Sequence, residues 1–199
     1  DDRDPRYDES QFYLGASQDA LGQTEAALAT NQKLAARLPL FEVYNNIGVS
    51  LIKLKKYTEA IDHLKPAVDA APRDTDTLFN LGYAYYLAKN NASAAATLKT
   101  ETRLRPSAGE GFYILSKALA ASGDQTGATA ASDQAKKLLS SFAQWETKGI
   151  PGVARIKMGF SKINYYRYKR DQDERLNAQA PVSGLTPQVD QLLEASRTA

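Results

Sequence analysis

The sequence contains no cysteine, so disulfide bridges and thiol nucleophiles are excluded, although that absence does not choose a compartment. A single histidine, His63, is left to carry any histidine-based triad or metal pair. It stands beside Asp62 on a helical stretch, where adjacent positions face different ways, so it reads as a solvated side chain. The 12 glycines do not gather into a phosphate-binding loop. Acids such as Glu59 and Asp62 show no paired arrangement for acid–base work. No apolar run approaches the ~18–20 residues needed to span a bilayer. No signal peptide is visible and the chain does not begin with Met, so a mature form or an excised fragment is expected. These absences predict a soluble protein of open compartment that is not an enzyme, with no cofactor, no metal and no small-molecule substrate.

What is present is an interval. Gly48 and Gly82 are 34 residues apart, and Ser116 follows after another 34. Ala60, Ala94 and Ala128 keep the same spacing, as do Ile47, Leu81 and Leu115, and then Leu51, Tyr85 and Leu119. Pro72 and Pro106 repeat it once, and Ser140 stands where a third proline would fall. A fixed period of this size marks a stacked array of helix pairs, in which each unit buries its apolar face on its neighbours. The chain has 43% hydrophobic but only 9% aromatic residues, and much of the apolar content is alanine, the best helix former.

Local signals fill in the pattern. Ser107 with Glu110 three residues later is expected to form a capping box. Asn91 and Asp124 are expected to cap the second helices of their pairs. Pro66 falls inside a helix predicted from Thr58 to Ala70, where a proline removes a hydrogen bond, so a kink or an early end is expected. Gly48 and Gly82 sit in helix interiors, where glycine costs about 1 kcal/mol against alanine, and close helix-to-helix approach is the compensating gain.

These residues resemble the tetratricopeptide repeat family. The second copy reads Tyr44, Ile47, Gly48, Leu51, Ala60, Leu64, Ala67 and Pro72. The third reads Leu78, Leu81, Gly82, Tyr85, Ala94, Leu98 and Pro106, with Glu101 in place of the second small alanine. The fourth reads Phe112, Leu115, Ser116, Leu119, Ala128 and Ala135, with Ser132 and Ser140 where leucine and proline would stand. An earlier copy reads Leu14, Gly15, Ala27, Leu34 and Pro39, at a spacing of 33 to the next, so one residue is missing, with the turn as its expected place. The resemblance implies an all-α, right-handed superhelical solenoid of antiparallel helix pairs. Its expected division is a polar lead-in at 1–7, repeats at 8–40, 41–74, 75–108 and 109–139, a basic helical cap at 140–180, and a linker with a short helix at 181–199.

The resemblance also implies a protein-interaction scaffold or adaptor that holds a peptide or protein in its concave groove. Carried over by position, the groove would present Asn45, Asn46, Val49, Lys53, Phe79, Asn80, Tyr83, Tyr86, Tyr113 and Lys117, with Phe12 beside them. Asparagine at the place of Asn46 and Asn80 often holds a ligand backbone in the family, and a primary amide can donate and accept at once. Tyr85 is expected in the core. The clamp that some members close on a chaperone's terminal carboxylate is not matched, because Glu110 stands where a cation would be needed.

Residues 148–170 hold seven basic side chains and no acid, interleaved with Tyr165, Tyr166 and Tyr168. Two readings remain open. Arg155, Lys157, Lys162, Arg167, Lys169 and Arg170 could meet a polyanion such as nucleic acid, anionic lipid or polysaccharide. Alternatively, Phe142, Trp145, Ile150, Val153, Ile156, Phe160 and Ile163 pack as a layer that closes the array, with the cations on its solvated outer face. Self-association of open stack ends into a structural array is a further alternative.

Overall fold

The computed structural model describes residues 5–179. The expected linker and short helix at 181–199 lie outside them, as do residues 1–4. The chain divides into two compact units, Asp1–Ser161 and Lys162–Ala199. The first unit carries four helix pairs: α1 (Pro5–Ala20) with α2 (Thr24–Arg37), α3 (Phe41–Lys53) with α4 (Tyr57–Ala70), α5 (Thr75–Leu87) with α6 (Asn91–Leu104), and α7 (Gly109–Ala121) with α8 (Gln125–Leu138). A short α9 (Phe142–Lys148) follows. The second unit contains α10 (Lys162–Gln179). No strand occurs among the described residues, and no described helix is long and apolar enough to cross a membrane.

The period has a direct packing cause. A Cβ built on Gly82 would lie 2.6 Å from the Cγ of Leu98, and one built on Gly48 would collide with Leu64 in the same way. Leu64 and Leu98 are fully buried, as are Ala60 and Ala94. Each leucine of a second helix therefore seats on the bare backbone of its partner helix, and any side chain there would hold the helices apart. Three residues, 38–40, separate α2 from α3, against four at the next two junctions. Each pair turns through one residue of positive φ, namely Gly22, Lys55, Lys89 and Gly123. That conformation costs nothing for glycine but strains the two lysines.

Several local expectations are corrected. α1 begins at Pro5, so the supposed lead-in at 5–7 is helical. The N-cap of α6 is Asn90, one residue before the expected Asn91, and its side chain accepts from the Ser93 amide at 3.3 Å. The capping box of Ser107 and Glu110 does not form. Ala108 occupies the cap position without a side-chain bond, and the Glu110 carboxylate goes to Arg155 instead. Asp124 does cap α8, accepting from the Gly127 amide at 2.8 Å. Of the kink or early end expected at Pro66, the early end does not occur, because α4 runs on to Ala70, held by the buried Leu64 and Ala67 on either side of the proline.

The largest correction concerns residues 140–180. Among their described residues, 140–179, the helix is not continuous. Gly149, at φ 85°, ends α9, and residues 150–161 form a strap without helical structure. Pro151, Gly152 and Gly159 oppose helix formation in it. Between successive pairs the first helices touch each other, α1 with α3, α3 with α5 and α5 with α7. These four helices form the inner rank of the array, and the strap lies on that rank.

Candidate partner-binding groove

The inner rank carries two asparagines one repeat apart. The Asn80 Oδ1 accepts from the Arg155 amide at 2.7 Å, and its Nδ2 donates to the Arg155 carbonyl at 2.7 Å. One repeat earlier, the Asn46 Oδ1 accepts from the Lys157 amide at 2.7 Å and its Nδ2 donates to the Lys157 carbonyl at 2.9 Å. In an extended chain the N–H and C=O of one residue point the same way, and a neighbouring strand normally answers both. Here a primary amide, with its donor and acceptor side by side, takes the neighbouring strand's place. Asn45 completes the set. Its Nδ2 donates to the Arg155 carbonyl at 3.0 Å, while its Oδ1 accepts from Asn80 at 2.8 Å. All three asparagines are buried at 1% exposure or less, so their polar groups need these partners.

The side chains of Arg155 and Lys157 find carboxylates on the array. The Arg155 guanidinium lies 3.7 Å over the ring of Phe79, bonds Glu110 at 2.9 Å and Glu101 at 3.2 Å, and approaches Asp76 at 3.6 Å. The Lys157 ammonium bonds Asp74 at 2.7 Å and Asp76 at 3.0 Å. Asp74 has two tasks, since its other oxygen caps α5 by accepting from the Thr77 amide at 2.9 Å. Burial would raise the Asp76 carboxyl, but hydrogen bonds from Lys157 and Arg105 together outweigh it and hold the group below the usual range. Glu101 behaves oppositely. Burial dominates and pushes its carboxyl up, with the Arg155 charge only partly offsetting the effect. Glu101 is fully buried, and its Oε2 has no hydrogen-bond partner.

The other residues expected in the groove meet the chain's own later segments or remain within the array. The Tyr83 hydroxyl points to the Pro151 carbonyl at 3.5 Å, the limit of a useful bond. Burial pushes its phenol up to about 12, so it stays neutral. Tyr113 packs edge-on against Phe142 and Trp145 of α9, with ring centroids at 5.5 and 5.1 Å, and Lys117 pairs with Glu146 at 2.6 Å. α9 thus covers the inner face of the last pair, and the strap continues from there to Phe160, whose ring lies 5.6 Å from that of Phe12. Val49 is fully buried, Lys53 pairs with Asp19 at 2.6 Å, and half-buried Tyr86 lies under Lys89. Tyr85, expected in the core, is half-buried, whereas Tyr83 is 5% exposed.

Of the basic residues, Arg155 and Lys157 are not on a solvated outer face. Their side chains are 17% and 16% exposed and are paired with acids. Lys162, Arg167, Lys169 and Arg170 belong to α10, where Arg170 bonds Asp171 at 2.9 Å. Sequence reasoning missed the acids Asp74, Asp76 and Glu101 as groove residues. One signal was available, a glutamate standing at position 101 where the repeat calls for alanine. Among the described residues, no group of three or more His, Cys, Asp and Glu side chains is arranged to hold a metal ion.

Residues 45–109 match the family model described as Tetratricopeptide repeat. The chain is 35% identical over 96 residues to BBSome complex member BBS4 of Bos taurus and 33% identical over 106 residues to that of Mus musculus. These alignments take in 48% and 53% of this chain but only 18% and 20% of those proteins. Among solved structures, MamA from Desulfovibrio magneticus RS-1 aligns with a TM-score of 0.62 at 23% identity, covering 66% of this chain and 75% of that one. YrrB, described as a TPR protein with an unusual peptide-binding site, aligns with a TM-score of 0.61 at 20% identity, covering 67% of this chain and 71% of its own. At such identities the structural likeness speaks for the fold.

Proposed function

The chain carries tetratricopeptide repeats, and from that premise we propose that it is a non-catalytic adaptor whose inner groove takes an extended segment of a protein partner. One observation carries this reading. Asn46 and Asn80 each grip both the N–H and the C=O of a single residue of non-helical chain, at positions one repeat apart. Such bonds engage the main chain and would serve any extended segment, as an added strand does. The ring of Phe79 and the carboxylates around it supply side-chain recognition over the same stretch.

The test compares proteins captured from cells by the wild-type chain and by an Asn46→Ala, Asn80→Ala variant that retains its helical spectrum. Loss of specific partners from the variant is expected. An identical set of partners would sink the groove as the binding face.

A further inference from the structure

The asparagine bonds explain how a segment is held but not which segment is chosen. We propose that the groove selects an extended segment of the form Arg-x-Lys from a partner protein, and that residues 150–161 occupy it as a tethered competitor. This rests on the groove reading above and names the ligand class for it.

The two seats differ in chemistry. The seat filled by Arg155 has a flat aromatic floor in Phe79 and carboxylates from two helices, Glu101 at 3.2 Å and Glu110 at 2.9 Å. A planar guanidinium can stack and fork at the same time, which a lysine ammonium cannot do. The seat filled by Lys157 has two carboxylates at 2.7 and 3.0 Å converging on one nitrogen, which suits a compact point charge. Every one of these acids belongs to the array and none to the strap. With the strap gone, Glu101, Glu110 and Asp74 would lose these cations, and carboxylates gathered without a counter-charge repel one another. The array is therefore built around a cation pair two residues apart.

The strap is also placed so that it can leave. Gly149 stands just before it and Gly152 and Gly159 within it, and a side chain at any of them would meet open space. The contacts that join α3 to α4 and α5 to α6, Leu64 on Gly48 and Leu98 on Gly82, do not involve it. A tethered segment competes at an effective concentration near the millimolar range for short flexible linkers. A partner segment then binds with its affinity reduced by the fraction of time the groove is open.

The probe is a fluorescent peptide of residues 149–161, added in trans to the full chain and followed by anisotropy. Binding to an Arg155→Ser, Lys157→Ser chain is expected to be at least ten-fold tighter than to wild type. Peptides with serine at both basic positions, or with lysine in the arginine place, are expected to bind that chain at least ten-fold more weakly. Equal binding to the two chains, or indifference to the basic positions of the peptide, overturns the proposal. So does loss of helical structure in the double variant, because the strap would then be part of the core. A wild-type dimer by light scattering that becomes a monomer in the double variant would assign the groove to a second copy and overturn the partner. If peptides bind without regard to charge while Asn46→Ala, Asn80→Ala still loses its cellular partners, the Arg-x-Lys class fails and the groove reading stands. If neither responds, both fail.

Discussion

Replacing Asn80 with alanine removes the two bonds between the Arg155 main chain and α5, each 2.7 Å long, while the guanidinium keeps its contacts with Phe79 and Asp76. The Arg155 carbonyl keeps a partner in Asn45 at 3.0 Å, but its amide is left with none of the bonds seen here. Two lost bonds at about 1 kcal/mol each, with a further cost of up to about 1 kcal/mol for the orphaned amide, give about 2–3 kcal/mol against the docked strap. That corresponds to a roughly thirty- to hundred-and-fifty-fold larger open population. Amide hydrogen exchange reads this directly. The Arg155 and Lys157 amides should lose protection by that factor together, because both depend on one docking event. The Leu98 amide, inside α6, should change far less. If Arg155 protection stays within two-fold of wild type, the asparagine bonds do not hold the strap. If α3 to α6 lose protection equally with it, the strap does not open on its own.

Other outcomes follow from the packing and the charges. Gly82→Ala drives a methyl into Leu98, and overpacking of about 1–3 kcal/mol should lower the melting temperature by roughly 2–12 °C. Lys89→Gly relieves a positive φ of 63° in the α5–α6 turn and should raise stability slightly, by about 0.5–1 kcal/mol in chemical denaturation. Asp76 is held below its usual range by Lys157 and Arg105, against a burial effect that raises it. Its contribution is therefore fully present above about pH 3.9 and is lost as pH falls through its lower folded value. Strap protection, corrected for intrinsic exchange, should be flat from pH 5 to 7 and fall below about pH 4. Glu101 is shifted upward by burial, so in global unfolding its charge works in the opposite sense, and protonation as pH falls relieves it.

Much of the array was readable from residue spacing because helix packing imposes it. Gly48 and Gly82 recur because a leucine must touch backbone there, and Asn46 and Asn80 recur on the face that the first helices present. The occupant of that face was not readable. A segment held through its main chain leaves no periodic side-chain trace, and the spacing of Ile150, Val153, Ile156 and Phe160 imitates a helix. The contrary signs were Gly149, Pro151, Gly152 and Gly159, which no helix of that length would tolerate. Glu101 was another, a charge at a position that should have been small and apolar. The cap positions failed by one residue for an ordinary reason. Asn90 and Asn91 are chemically equivalent candidates, and only the path of the turn chooses between them.

The two amide pairs have a consequence for the register in which a chain can lie. Asn80 and Asn46 are 34 residues apart on the array, yet they grip residues only two apart, 155 and 157. Each repeat therefore advances the bound chain by two residues, the period at which an extended segment returns a side chain to the same face. A slip of one residue would turn every side chain to the opposite face. Ile156 would then face the carboxylates, and the two cations would point away. The groove can shift its occupant only in steps of two, so it reads position as well as charge.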